Sequence, residues 1–471
     1  MSEDRVSTGI EGFDNLIEGG IPRGSLLLLG GEAGSGKTFF AAQYLYHGVS
    51  KLDEPGIYVS FAENRETFLK NMKRLNMDFE KYEQAGRFRL MDLVTVTEKG
   101  VGEILDSVLA EISNLKAKRL VIDSFSAMAQ AFKEPIEARV VVHTILGKMV
   151  RQAGCTTLLV VEKQSGQERI GLGLEEFVAD NVMILRRRIL DDRLVRELEI
   201  VKMRGTRVQQ PVLLFNLNGG FKVVKPYLSK DWQQPSNLKP VKPKSGFLST
   251  GIEDLDELIG GGLPPRSYNV LEVGATVPLS ILRLVRPLII QALTHGHGVF
   301  ILPAMGISAR QVKEGLTPYV RTDLLNRLVR VVDYGDENKE PYCVRLTGAK
   351  IQSDFLKLWK TVHQLHEASK KTVLAIVGFD TVEYMYGLKE GLRILGRDVA
   401  LNRNIGDVRV NIIRPSVHLK PQLVEVADTH LVVDEIQGAL VAYGVKPRTA
   451  IHDFNIKIRE GTAEIKLTPV I

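Results

Sequence analysis

Residues 31–38 read Gly31-Glu32-Ala33-Gly34-Ser35-Gly36-Lys37-Thr38. A glycine, four intervening residues and then Gly-Lys-Thr is a spacing that holds phosphate. The glycines let backbone N–H groups turn inward around phosphate oxygens. Lys37 can reach the terminal phosphates, and the Thr38 hydroxyl can take a Mg²⁺ ion. The motif requires a strand before it and a helix after it. Ser25–Gly30 supplies an apolar run, and Phe39–Tyr46 supplies a helical pattern whose N-terminus adds a favourable field for anions. The expected nucleotide contacts therefore run from Gly31 through Phe39.

Four further positions complete a chemistry of this kind. Arg119–Ile122 is an apolar run ending in Asp123, and a carboxylate at such a strand end can hold the shell of a Mg²⁺ ion, shared with Thr38. Hydrolysis also needs a group that orients or deprotonates water. The candidate is Glu63, after Ile57–Phe61, expected at the tip of a strand adjacent to the loop strand. Its bland alternative is a solvated acid starting the helix 66–75. Lys202 and Arg204 lie two apart on an expected strand, where both face one side and can steady phosphate charge. Solvated strand cations are the plain alternative.

The elements that must position these residues follow from the apolar pattern. Leu26–Leu29, Ile57–Phe61, Arg119–Ile122 and Thr157–Val161 read as buried parallel strands. Helical patterns such as Val101–Asn114 and Glu137–Gln152 lie between them. Asn181–Arg187 and Val195–Lys202 flank the turn-like Leu190–Arg193 and read as an appended β-hairpin. The fold class is α/β, with a mostly parallel central sheet flanked by helices. The loop sits at the C-terminal end of its strand, where such sheets bind ligands.

The 471 residues are too many for one ordinary core. Ser7-Thr-Gly-Ile-Glu-Gly-Phe-Asp14 returns as Ser249-Thr-Gly-Ile-Glu-Asp-Leu-Asp256, an offset of 242 residues, which makes the repeat a whole domain. Domains are expected at 1–226 and 246–471, joined by a Pro/Lys-rich linker at 227–245. The net charge of +6 is small for this length and supports a nucleic-acid partner only weakly. Cys155 and Cys343 stand one in each half, which excludes a disulfide framework and fits a reducing cytoplasm. Neither a signal-peptide pattern nor a bilayer-length apolar stretch is present, so a membrane is not expected.

Taken together these strings resemble the KaiC-like ATPases of the RecA superfamily over residues 5–226. The resemblance rests on Ser7-Thr-Gly-Ile10 with Gly19-Gly-Ile-Pro-Arg-Gly24, the phosphate loop, Asp53–Phe61, Val121-Ile-Asp-Ser124, Glu175–Val182 and Lys202-Met-Arg-Gly-Thr206. It implies two tandem RecA-like domains and an ATPase working as a homo-oligomeric, hexamer-like ring. ATP and Mg²⁺ would lie between protomers, with Lys202 and Arg204 reaching the neighbour's phosphates. Glu63 matches the second acid of the family's pair after the aligned strand; the first is Ala62 here. The second unit departs further. Val273, Thr276, Pro278, Leu279 and Ser280 stand where Gly31, Gly34, Gly36, Lys37 and Thr38 stand in the first, and Pro278 removes an N–H donor. The strand Val373–Gly378 ends without an acid, Asp380 coming two residues late. This unit is expected to keep the fold without binding Mg-ATP in the usual way. Its Lys446 and Arg448, matching Lys202 and Arg204, are candidate trans-acting cations. The phosphorylated hydroxyl pair used in the second domain of the family's namesake cannot be placed, so an autokinase is not expected.

The preferred reading is an ATP-driven switch with an unidentified regulatory protein partner. Two others stand beside it. One is a recombinase-like DNA-binding ATPase, for which the region 163–173 and the run Arg186-Arg-Arg188 are the only basic candidates; a sheet-edge charge cluster is the bland account of that run. The other is a nucleotide sensor without turnover.

Overall fold

The computed structural model describes residues 4–93, 101–129, 140–141, 143–145, 149, 152–163, 178–227, 237–238, 241–242, 244–278, 285–335, 340–459 and 462–470. The chain divides into two compact units. Met1–Pro226 forms the bulk of the first, and Tyr227–Ile436 with Leu440–Pro469 forms the second. Much of the expected helix 137–152 and of the region 163–173 lies outside the described residues.

The first unit opens with a two-residue pair, β1 (Arg5–Val6) and β2 (Ile21–Pro22). Its main sheet contains β3 (Leu26–Gly31), β4 (Gly56–Ser60), β5 (Phe88–Asp92), β6 (Arg119–Asp123) and β7 (Thr156–Glu162). It continues with β8 (Asn181–Leu190), β9 (Arg193–Met203), β10 (Val212–Asn216) and β11 (Lys222–Val223), in the spatial order β11-β10-β9-β8-β3-β7-β6-β4-β5. The strands from β8 through β5 pair in parallel along that order, so their C-terminal ends share one edge. Leu26 to Leu29 are fully buried, which is why the run is apolar on both faces. The expected hairpin forms from β8 and β9, and its two-residue turn, Asp191–Asp192, has positive φ at both positions, as a type I′ turn demands.

Helix α1 (Lys37–Lys51) follows the loop and buries Phe40, Tyr44, Leu45 and Val49 against one sheet face. Helix α2 (Val101–Leu115) covers the other face through Leu105, Val108 and Ile112. Gly48 on α1 admits the fully buried Arg119. Its guanidinium pairs with Glu54, donates to Ser7 O and Tyr44 O, and lies 4.6 Å from the Tyr44 ring centroid.

The second unit builds an eleven-stranded sheet. Its parallel part is β13 (Tyr268–Val273), β14 (Gly298–Leu302), β15 (Val329–Asp333), β16 (Cys343–Arg345), β17 (Val373–Gly378), β18 (Val408–Ile413) and β19 (Thr429–Ile436). Two hairpins extend it, β19 with β20 (Ala439–Lys446) and β21 (His452–Arg459) with β22 (Thr462–Pro469). Within the joint expected at 227–245, the short β12 (Asn237–Leu238) pairs in parallel with β22, and Val241 N donates to Gln291 of the second unit. These described residues join the second unit's sheet and one of its helices. Proline-poor Asn237–Leu238 has the free N–H groups that an added edge strand requires.

Candidate nucleotide site

The phosphate loop connects β3 to α1 at the shared C-terminal edge. Gly34 and Gly36 have φ of 72° and 104°, where an L side chain is strained. A Cβ at Gly31 would come within 2.7 Å of Leu185 O and 2.6 Å of Ser35 Oγ, so that position is closed to anything larger. Ala33 and Gly34 form the exposed crest, while Glu32 is half-buried. Ser35 is buried, and its Oγ has no hydrogen-bond partner among the described residues. The buried Lys37 folds back over the loop and donates to Gly31 O and Glu32 O, each at 2.9 Å. Phe39 turns toward the apolar core beside Phe40 and packs there half-buried.

The loop meets the end of β6. Thr38 Oγ1 donates to Asp123 Oδ2 at 2.8 Å, joining residues 85 apart in sequence. The same oxygen accepts from Tyr58 Oη, on β4, at 2.6 Å. Burial pushes the Asp123 carboxyl above its usual range, against the pull of the Tyr58 and Thr38 hydrogen bonds and the Lys37 charge. Burial also lowers Lys37, opposed first by Glu162 and then by Asp123. A buried carboxylate and hydroxyl held together, with an ammonium and an orphaned serine oxygen on the same loop, fit a Mg²⁺–phosphate group. Thr38 and Asp123 offer hard oxygen donors, and Lys37 offers the cation.

Glu63 lies beyond the end of β4, in a turn pinned by Ser60: Ser60 Oγ donates to Glu63 O at 2.6 Å and accepts from Glu63 N at 3.1 Å. Its Oε2 is buried with no hydrogen-bond partner among the described residues. The expectation that this strand adjoins the loop strand is corrected by the sheet order, because β7 and β6 lie between β3 and β4. Glu63 nevertheless stands at the same sheet edge, and its charge is felt by Tyr58, whose hydroxyl reaches Asp123.

Lys202 and Arg204 do not share a strand face. β9 ends at Met203, so Arg204 falls in the following turn. Lys202 Nζ donates to Ala179 O at 2.6 Å, and Arg204 lies 3.5 Å from Asp180. Lys446 repeats this habit in the second unit, donating to Val424 O at 2.7 Å, and Arg448 follows the end of β20. The return of these residues thus has a local cause: each lysine ties down carbonyls just before the preceding hairpin strand.

Three neighbours of the loop escaped sequence reasoning. Glu162 ends β7 in register with Gly31. Arg187 on β8 and Arg196 on β9 face each other across the hairpin. Arg196 Nη1 donates to Gly34 O at 3.3 Å, and a Cβ on Gly34 would lie 3.5 Å from Arg187 Nη1. Burial, then Arg187, lowers the Arg196 pKa. The run 186–188 is split by strand alternation. Arg186 pairs with Glu199 and Arg188 with Glu197 on one face, while Arg187 points to the loop. Alternation was legible, but which face met the loop was not.

The second unit shows what replaces the site. Strand register places Tyr268 at the position of Leu26, Arg409 at Thr157, Ala375 at Leu120 and Phe300 at Ile57. Counting along these strands puts Ile301 at Tyr58, Gly378 at Asp123 and Arg414 at Glu162. The hydroxyl and the carboxylate are lost together. A Cβ at Gly378 would come within 2.3 Å of Ala304 Cα, so the acid's place is closed by backbone. Arg414 Nη1 donates to Gly274 O at 2.7 Å and Val277 O at 2.8 Å. Gly274 stands where Glu32 stands, so a guanidinium from the neighbouring strand holds the carbonyl that the loop lysine holds in the first unit. Leu279 and Ser280 lie outside the described residues.

Comparison with known proteins finds the following similarities. A family model described as "ATPase: KaiC" matches residues 6–227. The circadian clock oscillator protein KaiC of Thermostichus vulcanus is 31% identical over 280 residues, 58% of this chain and 52% of that protein. The KaiC of Synechococcus elongatus is 33% identical over 281 residues, 58% and 52% of the two chains. The chain therefore spans about half the length of the curated relatives it matches. A crystal structure of a KaiC-like protein from Pyrococcus horikoshii is 36% identical and covers 46% of this chain and 98% of its own, with a TM-score of 0.43.

Proposed function

We propose that this chain, whose residues 6–227 match the family model described as "ATPase: KaiC", binds and slowly hydrolyses ATP as an oligomeric regulatory switch with one working nucleotide site per chain. The hydrogen bond from Thr38 to Asp123 carries the reading, because it brings the loop and the acid-ended strand to one point at the sheet edge. Gly31–Thr38 would wrap the phosphates, with Lys37 leaving its carbonyls for them and Ser35 Oγ gaining a partner. Thr38 and Asp123 would hold Mg²⁺, which supplies charge neutralisation at the phosphate oxygens. Glu63, with a buried unpartnered oxygen at the same edge, would take a proton from the attacking water as its oxygen bonds to the γ-phosphorus and the bond to ADP breaks.

Lys202 and Arg204 would act on a neighbouring protomer only after leaving Ala179 O and Asp180, and Lys446 only after leaving Val424 O. If removing the charges of Lys446 and Arg448 leaves turnover and assembly untouched, their trans role is wrong. The loss of Lys37, Asp123 and Tyr58 counterparts, and the Arg414 contacts, support a second unit without Mg-ATP, and with it the absence of autokinase chemistry. The DNA-binding reading loses support from the pairing of Arg186 and Arg188 with glutamates. Among the described residues no helix is long and apolar enough to cross a membrane, and a cytoplasmic setting belongs to this proposal. Mass in solution with and without Mg-ATP, with retained nucleotide quantified, tests it. One nucleotide per chain in an ATP-dependent oligomer is expected; two per chain would refute the single-site reading.

A further inference from the structure

We propose that the second unit carries a binding site for a small, neutral, planar molecule that presents an adjacent N–H and C=O, an amide-edged ring. The site is a cavity of about 60 Å³ between the sheet and the helices Ile351–Ser369 and Phe379–Ile405. Its walls include Phe300, Phe355, Trp359, Phe379 and Tyr386, while Asp398, Asn402 and Arg409 also line it.

Two observations mark it as a built site. First, Asn402 is 2% exposed and Arg409 8%, yet Asn402 Oδ1 and Arg409 Nε have no hydrogen-bond partner among the described residues. Elsewhere on these side chains, Asn402 Nδ2 donates to Ser267 O and Asp407 O, and Arg409 Nη2 pairs with Asp398. An acceptor and a donor thus stand unpaired at the cavity, with Asp398 beside the guanidinium. That pair matches the donor and acceptor of an amide edge and disfavours an ion. Second, the repeat supplies its own control. The same sheet face in the first unit has Leu26, Thr157 and Leu159 where the second has Tyr268, Arg409 and Asn411. The unit without the working loop has placed polar groups in its core, at a cost in stability that an apolar core avoids. Such local violations of core chemistry collect at functional sites.

The cavity is too small to enclose a whole ring without movement of its walls. The polar edge would seat at Asn402 and Arg409, with the ring among the aromatic side chains. Leu358, Trp359 and Tyr386 are half-buried, and Gly387 (φ 77°, ψ 167°) breaks the helix after Tyr386, giving that wall a place to bend.

Trp359 reports on the cavity. In full-length protein carrying Trp232→Phe, titration with 2-pyridone should change Trp359 emission saturably, and benzene, which lacks the amide edge, should not. Leu358→Phe, which narrows the wall and leaves the polar floor intact, should weaken the response. Asn402→Leu should weaken it about tenfold, the worth of one buried hydrogen bond. Equal responses to benzene and 2-pyridone, or no saturable response to 2-pyridone, would overturn the proposal and leave trapped water as the partner of these atoms. If Asn402→Leu does not fold, Leu358→Phe and the benzene comparison still decide. Turnover at Gly31–Thr38 is not used in the readout, so failure here is separate from failure of the ATPase reading.

Discussion

Tyr58→Phe removes one oxygen from the buried wall of the nucleotide site and leaves the ring packing on Phe68, 4.5 Å away between centroids. That oxygen donates to Asp123 at 2.6 Å, and the only other side chain hydrogen-bonded to Asp123 among the described residues is Thr38. On the proposed reading, in which Thr38 would turn to a metal, Tyr58 would be the donor that stays. A hydrogen bond to a charged group is worth about 1.5–3 kcal/mol, so losing it should raise the Asp123 midpoint by about one to two pH units. Burial already holds that midpoint above the usual carboxylate range. The sign follows. A carboxyl with a raised folded pKa contributes stability that is present at low pH and lost as pH rises from its unfolded value through its folded one. In Tyr58→Phe the apo protein should keep losing stability to higher pH. Mg-ATP needs the deprotonated form, so its affinity should climb with pH below the midpoint and level off above it. The assay is the dissociation constant of Mg-ATP measured across pH for parent and variant, beside urea unfolding of the apo forms. The levelling point should move upward by about one to two units. Curves that superimpose would show that Tyr58 does not set the charge of Asp123.

Glu63→Gln should retain Mg-ATP and lose turnover by about a hundredfold or more in a phosphate-release assay; equal, near-zero rates in parent and variant would favour a sensor over an ATPase. Arg187→Ser combined with Arg196→Ser should weaken ATP binding by about tenfold and flatten its dependence on salt, since two cations beside Gly34 are removed; isothermal titration at two ionic strengths checks this. Arg414→Met should destabilise the second unit by about 1–3 kcal/mol for each buried carbonyl left without a donor. Urea unfolding followed by Trp359 emission, with Trp232→Phe as background, reads that loss, and an unchanged midpoint would remove the structural role assigned to Arg414.

The parts of the site legible in the sequence are those whose information is local. The glycine spacing, the apolar run before it and the helix after it all lie within about twenty residues, and each is enforced by backbone geometry. Asp123 was legible because a strand that ends in an acid is a one-dimensional pattern. Tyr58 was not, because an aromatic residue inside a buried strand looks like core until the strand order brings it to Asp123. The placement of Glu63 beside the loop strand went wrong for the same reason: adjacency in sequence does not give adjacency in a parallel sheet whose crossovers skip strands. Lys202 and Arg204 looked like a matched pair because the end of β9 falls between them, a boundary too fine for periodicity. Arg187, Arg196 and Arg414 needed the hairpin and sheet registers, which depend on contacts far apart in the chain.

Arg414 also bears on the history of the duplicated fold. In the first unit β7 ends on a glutamate whose charge acts on the loop lysine; in the second the matching position carries a cation that holds the loop carbonyl. A lysine at position 279 alone would restore the motif's cation in sequence and leave Arg414 holding Gly274 O. Returning a glutamate to position 414 alone would strip Gly274 O and Val277 O of their donor. Neither single step leads back toward phosphate binding, and Gly378, sealed against Ala304, blocks a third. The change of a charge's address thus acts as a ratchet: it leaves the second unit free to diverge and makes recovery of the ancestral site require several coordinated reversions.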